Sequence, residues 1–127
     1  MSEAHPAGEP DVRLKRAYDP AEPDDGYRVL VDRLWPRGLS RAHAGADLWL
    51  KEVAPSPALR RWFGHDPRRW KHFRQRYRAE LAHHPDELGV LKDLRRRGPI
   101  TLLFAARDEA HNNAVVLREV LEGRSHG

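Results

Sequence analysis

The amino-acid sequence predicts an α/β protein with a small open, mostly parallel sheet of three or four strands flanked by helices. YRVLVDR (27–33) and ITLLFAA (100–106) each contain a contiguous run of β-prone apolar residues, which is typical of strands buried on both faces. Helical patterns fill most of the chain between them. Crossovers through helices make neighbouring strands parallel, so the order of elements predicts a parallel sheet.

Two further strands are predicted from weaker patterns. VRLKRAY (12–18) alternates apolar and charged residues and favours an edge strand with one solvated face. The Pro-, Asp- and Gly-rich segment YDPAEPDDG (18–26) then predicts a loop. DLWLKEV (47–53) fits a strand or a helix, and a strand is favoured because APSP follows directly and leaves little room for a helix.

Capping residues predict three helices in the middle of the chain. Ser40 begins a short helix over 40–44, and Ser56 followed by Pro57 begins a second helix that Gly64 ends. Asp66 with Pro67 repeats this pair and begins a third helix. Its apolar residues recur at spacings of three and four, which predicts a buried stripe of Trp70, Phe73, Tyr77 and Leu81.

Two more helices complete the predicted fold. One begins near Pro85 and ends in three arginines, 95–97, before the stop signal Gly98-Pro99. Its inward residues are Leu88, Leu91 and Leu94. The last helix is predicted over 109–122 with Asp108 as its N-cap. Its buried residues are predicted to be Val116, Leu117, Val120 and Leu121.

Length and composition limit the possible classes of protein. The 127 residues suit one domain, predicted over 12–122, with a disordered lead-in over 1–11 and a flexible tail over 123–127. The absence of cysteine excludes disulfides, thiolate catalysis and cysteine-based zinc sites. No apolar stretch approaches the roughly 20 residues of a membrane helix, so a cytoplasmic protein is expected. The net charge of +4 comes mainly from arginine, which fits either an affinity for anions or an arginine-rich genome.

Polar residues follow the predicted strands where their carboxyl ends share one edge of the sheet. Ligands of open parallel sheets settle in the crevice at that edge. The candidate ligand-binding and catalytic residues are Asp32, Arg33, Trp35 and Arg37 after one strand, Lys51 and Glu52 at the end of another, and Arg107, Asp108, His111, Asn112 and Asn113 after the last.

This arrangement predicts a pocket for a small anionic ligand, phosphorylated or nucleotide-like. Arginine side chains would clamp the anion, the N–H groups of residues 109–111 would hold an oxyanion, and the two asparagines would bind a polar edge. Asp32 and His111 are the candidate proton-transfer residues if a reaction occurs. Each residue also has an ordinary interpretation: Asp32 fits an ion pair with Arg33 or Arg107, and the asparagines fit bonds to the loop backbone.

A second hypothesis is a non-enzymatic nucleic-acid-binding module that uses the basic segment 59–78. Such a face would add affinity that weakens with salt. Its aromatic residues share one helical stripe and are expected to be buried rather than to stack on bases, and a solvated basic face explains the same pattern. The candidate contacts are Arg68, Arg69, Lys71, Arg74, Arg76 and Arg78.

A third hypothesis is metal-assisted hydrolysis around Asp32, Asp108 and His111. A metal site could also draw on His65 and Asp66, but no recognisable ligand spacing such as His-Glu-x-x-His is present, so no metal ligand is assigned. The sequence also lacks a Gly-rich phosphate loop and a Gly-x-Ser-x-Gly elbow. No cofactor is identified, and the oligomeric state is left open.

Four strings together resemble the YeaO-like branch of a bacterial family of unknown function, DUF488. They are VLVDRLWPRGLS, LWLKEVAPS, LRRWFGHDP and LLFAARDEAHNNAVVL, and the resemblance covers residues 12–122. It implies a small α/β protein and supplies no established reaction. Other branches look as though they carry a cysteine-bearing loop where this chain has 105–114, so any thiol chemistry of those relatives does not carry over. The position at the sheet edge does.

Overall fold

The computed structural model describes residues 12–123. It confirms an α/β fold with an open sheet of four parallel strands in the order β1-β4-β2-β3. The strands are β1 (Val12–Arg16), β2 (Tyr27–Leu30), β3 (Leu48–Trp49) and β4 (Ile100–Phe104). β1 lies at an edge as predicted, and β4 lies in the interior with all five residues buried.

Five α-helices occupy the described part of the chain. They are α1 (Arg41–Ala44), α2 (Pro57–Phe63), α3 (Trp70–Leu81), α4 (Pro85–Arg97) and α5 (Asn113–Leu121). Three short 3₁₀ turns add Pro23–Asp25, Lys51–Val53 and Pro67–Arg69. Among residues 12–123, no helix has the length and apolar character that crossing a membrane requires.

The helix starts predicted at Ser40 and Ser56 are confirmed, whereas the helix predicted from Asp66-Pro67 becomes an α-helix only at Trp70. The hydroxyl of Ser40 accepts from the N–H of His43, and the hydroxyl of Ser56 accepts from the N–H of Leu59. Gly64 ends α2 in the left-handed conformation that glycine adopts without strain. The carboxylate of Asp66 caps the 3₁₀ turn that leads into α3.

The apolar residues form two clusters, one on each face of the sheet. The larger cluster joins alternate residues of β2 and β4, such as Val29 and Leu102, to the buried stripe of α3 and to α5. The smaller cluster consists of Ala17, Leu30 and Leu103. The residues that pack against it are Trp35, Leu39, Ala46 and Trp49. β2 and β4 therefore contribute to both faces, which explains the contiguous apolar runs in the sequence.

Several predicted boundaries differ from the structure. The strand predicted over 47–53 is real only at Leu48–Trp49, because residues 51–53 turn into a 3₁₀ helix. β2 and β4 each end two or three residues earlier than predicted. The last helix begins at Asn113 rather than at 109. The predicted lead-in over 1–11 and residues 124–127 of the predicted tail lie outside the described residues.

Gly26 marks a close approach between the segments that lead into β2 and β4. It has φ 64°, and a Cβ atom placed there would lie 2.1 Å from the carbonyl oxygen of Pro99. The next residue, Tyr27, donates its N–H to the same oxygen. Any side chain at Gly26 would therefore separate the starts of β2 and β4.

Candidate functional site

A cavity of about 410 Å³ opens beyond the carboxyl ends of β2 and β4, and we call it the Asp32 cavity. Its polar lining residues are Asp32, Arg33, Arg37, Arg60, His65 and Asn113. Its apolar lining comes mainly from Tyr18, Leu34, Trp35, Pro36, Pro55 and Ala106. The cavity therefore lies where an open parallel sheet is expected to bind its ligand.

Asp32 is a partly buried carboxylate at the centre of this edge. One oxygen accepts from the N–H of Ala105 at 2.8 Å, and the other accepts from the side-chain amide of Asn113 at 3.2 Å. Burial raises the pKa of Asp32 above its ordinary value, and these two hydrogen bonds oppose the shift only in part. Within residues 12–123, Asp32 forms no ion pair, so the predicted pairing with Arg33 or Arg107 is not found.

Asn113 joins the start of α5 to the end of β2. Its amide donates to the carbonyl of Val31 at 2.9 Å as well as to Asp32. The indole of Trp49 donates to the carbonyl of Asp32 at 2.7 Å. The backbone and side chain of Asp32 are thus held from two neighbouring elements, which fixes the carboxylate at the cavity wall.

Arg16, at the end of the edge strand, fixes the loop that forms the cavity floor. Its guanidinium donates to the carbonyls of Ala105 and Ala106, each at 3.0 Å, and lies over the ring of Tyr18. The hydroxyl of Tyr18 donates in turn to the carbonyl of Arg37 at 2.8 Å. Arg16 was not predicted as a site residue, because the alternating pattern of residues 12–18 assigned it to a face of the edge strand.

The cations of the Asp32 cavity fall into two groups. Arg33 donates to the carbonyls of Ala54 and Pro55 at 3.2 and 3.4 Å, so its guanidinium braces the backbone that precedes α2. The side chains of Arg37, Arg60 and His65, in contrast, make no hydrogen bond or ion pair within the described residues. The guanidinium of Arg60 and the imidazole of His65 interact electrostatically with Asp32 and favour its ionised form.

A second cavity of about 430 Å³, which we call the Arg107 cavity, adjoins the first. It is lined by His65, Ala105, Ala106, Arg107 and Asp108. The first three of these residues line the Asp32 cavity as well. Arg107 is exposed and has no hydrogen-bond or ion-pair partner in the described part of the chain.

The predicted oxyanion site at residues 109–111 is wrong. Asp108 does not cap α5; its carboxylate accepts from the N–H groups of Ala110 and His111 at 2.9 and 3.0 Å and closes a turn. The imidazole Nδ1 of His111 lies 3.0 Å from the same carboxylate. These bonds lower the pKa of Asp108, with the bond to the His111 ring as the largest cause.

Asn112 is the actual N-cap of α5. It is buried, its carbonyl oxygen accepts from the N–H of Val115 at 3.2 Å, and its amide donates to the carbonyl of Asp108 at 3.0 Å. The ring of His111 packs edge-on against Trp70, with ring centroids 5.2 Å apart. Neither residue belongs to the lining of the two cavities, whereas Asn113 does.

Of the remaining predicted residues, Trp35 lies in the site, whereas Lys51 and Glu52 lie beside it. Trp35 lines the Asp32 cavity and meets Trp49 edge to face at 5.5 Å. Lys51 lies over the ring of Trp49, and Glu52 is exposed on the 3₁₀ turn that follows β3. Both charges are therefore outside the two cavities.

The basic segment 59–78 is largely engaged in contacts of its own. Arg74 and Arg78 pair with Glu119 at 2.9 and 3.3 Å, which ties α3 to α5. Arg68 pairs with Asp66, and Arg69 donates to the backbone of Trp62. Arg76 lies over the ring of Trp62, and Lys71 is exposed. The aromatic stripe of α3 packs inward, as predicted.

The residues considered for a metal centre do not come together. Within residues 12–123, no group of three or more His, Asp or Glu side chains could hold a metal ion. Asp108 and His111 are in contact, but Asp32 is bonded to Ala105 and Asn113 instead.

Residues 11–126 match the sequence model of a family described as the inactive DUF488-N3 subclade. The chain belongs to this family. It is 45% identical over 111 residues to the uncharacterised protein YeaO of Escherichia coli, which covers 87% of this chain and 96% of YeaO. It is 43% identical over 113 residues to the uncharacterised proteins Mb3100c of Mycobacterium bovis and Rv3073c of Mycobacterium tuberculosis, with 89% of this chain and 95% of each relative covered. No solved structure gives a significant match.

These matches confirm the YeaO-like DUF488 resemblance seen in the sequence. Sequence reasoning nevertheless missed that Arg60 lines the Asp32 cavity, because it assigned that residue to the basic segment. It considered His65 only as a metal ligand. A usable signal was present: Gly64 ends a helix of seven residues and Asp66 caps the next, so His65 lies in a forced turn between them.

Proposed function

We propose that this DUF488 protein binds a small anionic ligand, phosphorylated or nucleotide-like, in the Asp32 cavity. The observation that carries the proposal is the set of cations on the cavity wall that lack a partner within residues 12–123. Arg37 and Arg60 line the cavity in this way, beside the imidazole of His65 and a single carboxylate, Asp32. Arginine side chains without a carboxylate partner suit the geometry of phosphate oxygens.

The charge balance of the cavity supports this ligand class. Arg33, Arg37 and Arg60 outnumber Asp32, the one acidic lining residue. Burial also favours the neutral form of Asp32, because its pKa is raised. An anion entering the cavity would favour that neutral form further, so Asp32 is compatible with an anionic ligand.

The size and the apolar lining support a ligand with a flat or apolar body. About 410 Å³ is within the usual range for small-molecule sites, roughly 300–1,000 Å³. Trp35 and Tyr18 form aromatic lining, and Leu34, which is 63% exposed, lies at the same cavity. A nucleotide or a sugar phosphate combines such a body with a phosphoryl group.

We propose binding rather than a catalysed reaction. The matched family is described as inactive, and the second candidate for proton transfer, His111, is held by Asp108 and Trp70 outside the cavity lining. Asp32 alone among the two candidates faces the proposed ligand. The nucleic-acid alternative has less support, because Arg74 and Arg78 are already paired with Glu119.

Calorimetric titration with adenosine 5′-monophosphate and fructose 6-phosphate tests the proposal. Arg37→Gln and Arg60→Gln each remove one cation whose side chain braces no other described residue. We expect each substitution to weaken binding about tenfold, the effect of one lost charge-assisted contact. The matched control is Arg97→Gln, the same chemical change at the exposed end of α4 that precedes β4.

The control variant should bind as tightly as the unaltered protein. The proposal fails if neither probe binds at millimolar concentration, or if Arg37→Gln and Arg60→Gln both keep the affinity of the control. A thermal-shift series over nucleotides, sugar phosphates and inorganic phosphate tests the same proposal for a wider set of anions, because an anion that binds the folded protein raises its melting temperature.

A further inference from the structure

The Asp32 cavity and the Arg107 cavity adjoin each other, and we refer to the two together as the cleft. They share three lining residues, His65, Ala105 and Ala106. The shared residues come from the turn after α2 and from the loop after β4, so these two segments form the junction. A ligand long enough to reach past the shared residues would contact both cavities.

Each part of the cleft has its own available cation. Arg37 and Arg60 line the Asp32 cavity, and Arg107 lines the Arg107 cavity. None of these three side chains has a hydrogen bond or ion pair within the described residues. The two groups of cations line different cavities, which share the three residues of the junction.

The acidic residue of the second cavity is held by its own turn. Asp108 accepts two backbone N–H bonds and contacts the His111 ring at 3.0 Å. Among the described residues its carboxylate does not pair with Arg107. A second anionic group beside Arg107 would meet one cation and a carboxylate that already accepts two backbone N–H bonds.

The junction itself is held in a fixed form. The carbonyls of Ala105 and Ala106 are both bonded to Arg16, and the N–H of Ala105 is bonded to Asp32. His65 has φ 56° and is the only non-glycine residue with positive φ in the described part of the chain. A side chain kept in that conformation at a ligand cleft is typical of a functional constraint.

We infer that this cleft binds a ligand with two separated phosphoryl groups, one beside Arg37 and Arg60 and the other beside Arg107. This inference rests on the proposed function and specifies its ligand class. Two sources share this chemistry: a nucleoside bisphosphate and a sugar bisphosphate. The structure supplies cations at both positions, and the ligand body would pass over the Ala105 and Ala106 backbone at the junction.

The test compares matched probes that differ by one phosphoryl group. Adenosine 5′-monophosphate is compared with adenosine 3′,5′-bisphosphate, and fructose 6-phosphate with fructose 1,6-bisphosphate, each by calorimetric titration. We expect the second phosphoryl group to tighten binding about tenfold in at least one pair. Arg107→Gln should abolish this gain, because it should weaken the bisphosphate about tenfold more than it weakens the monophosphate.

Arg37→Gln and Arg97→Gln serve as controls. Arg37→Gln should weaken the monophosphate and the bisphosphate alike, and Arg97→Gln should change neither. A gain in only one pair identifies the ligand source as nucleotide or sugar, and a gain in both shows that the phosphoryl groups alone are recognised.

Two results would overturn the inference while leaving the proposed function intact. One is a bisphosphate that binds no tighter than its monophosphate in both pairs. The other is a gain that persists in Arg107→Gln. If no probe binds at all, both the inference and the proposed function fail.

Discussion

One aspartate precedes β2 and another follows it, and the two carboxylates have opposite surroundings. Asp25 lies just before β2 and is 2% exposed. Its carboxylate contacts Arg28 at 2.5 Å and Lys15 at 3.1 Å. Asp32 lies just after β2, is bonded only to uncharged donors, and faces a cavity.

The pKa values of the two carboxylates move in opposite directions for this reason. Burial would raise the pKa of both. At Asp25, hydrogen bonds from the Glu22 N–H, Lys15 and Arg28 exceed that effect and hold the pKa below its ordinary value of 3.8. At Asp32, the bonds from Ala105 and Asn113 are weaker than the effect of burial, and the pKa is raised.

The network around Asp25 is structural. Arg28 also donates to the carbonyls of Ala44 and Gly45 at 2.7 and 3.1 Å, which ties the end of α1 to β2. Thr101 of β4 donates to the Asp25 carbonyl at 2.8 Å. Every charge here has a partner within the protein. A carboxylate without a cationic partner, such as Asp32, is therefore the better indicator of a binding site, because a role in stabilising the fold does not account for it.

The largest expected effect is at Asp25. Asp25→Asn leaves Arg28 buried without a charged partner, which we expect to lower the free energy of unfolding by about 3 kcal/mol. Urea unfolding at pH 7 measures it. The deficit should shrink as the pH falls below the ordinary pKa of 3.8 and toward the lower folded pKa, because the native carboxylate then becomes protonated as well.

A small effect would contradict the structural role of this network. Lys15→Met is a useful companion variant. Because Arg28 still pairs with Asp25 after that change, we expect a smaller loss, about 1 kcal/mol.

The next effect concerns ligand affinity at Asp32. Asp32→Asn removes the one negative charge of the Asp32 cavity and keeps its size. At pH 8 we expect adenosine 5′-monophosphate to bind more tightly, by up to about tenfold, because the repulsion of the phosphate is gone. The gain should decrease as the pH falls, since the native carboxylate is then neutral. Weaker binding to Asp32→Asn at every pH would instead assign Asp32 to direct recognition of the ligand.

Asp32→Asn also has a smaller effect on the free energy of unfolding. This effect changes with pH in the opposite direction to the effect of Asp25→Asn. The raised pKa means that the contribution of Asp32 to stability is complete below 3.8 and is lost as the pH rises through the folded pKa. Relative to the unaltered protein, Asp32→Asn should therefore become more stable between pH 4 and pH 8. We expect values within about 1 kcal/mol, because its amide meets the donor of Asn113 and one hydrogen bond is lost.

Thermal unfolding of both Asp→Asn variants decides whether the two slopes differ in sign, measured below about pH 4 for Asp25→Asn and above about pH 4 for Asp32→Asn. Parallel slopes would mean that the two carboxylates have similar environments, and the contrast between the two positions would fail.

The features that the sequence predicted well are those specified by neighbouring residues. The starts of α2 and of the 3₁₀ turn before α3 follow from Ser56-Pro57 and Asp66-Pro67, where cap and first turn are adjacent in the chain. The sheet follows from contiguous apolar runs, because a strand buried on both faces has no polar alternation.

The start of α5 was mispredicted because two caps compete locally. Asp108 and Asn112 are both good capping residues, and sequence alone does not show that the first closes a turn while the second begins the helix. The predicted oxyanion site depended on that choice.

The Asp25 network and the cavity residue Arg60 were missed because they are long-range. Arg28 lies in a buried strand, and a cation there requires a partner, which is a signal that sequence reasoning could have used. Which of the nearby acids supplies it depends on the tertiary fold. Arg60 reaches the cavity only because α2 packs beside the end of β2, a placement that no local pattern specifies.

The smallest effect tests the junction of the two cavities. His65 has φ 56°, a conformation that disfavours residues with a Cβ atom, so His65→Gly should raise the free energy of unfolding by about 0.5 kcal/mol. Glycine is more flexible in the unfolded chain, which keeps this gain small. Chemical unfolding measures the gain. The matched control is Ala82→Gly at the end of α3, where φ is −61° and glycine should lower stability instead.

The same His65→Gly variant should bind the phosphorylated probes more weakly, because a group that lines both cavities is removed. A variant that is less stable than the native chain, yet binds normally, would assign His65 to packing against Phe63 rather than to the cleft.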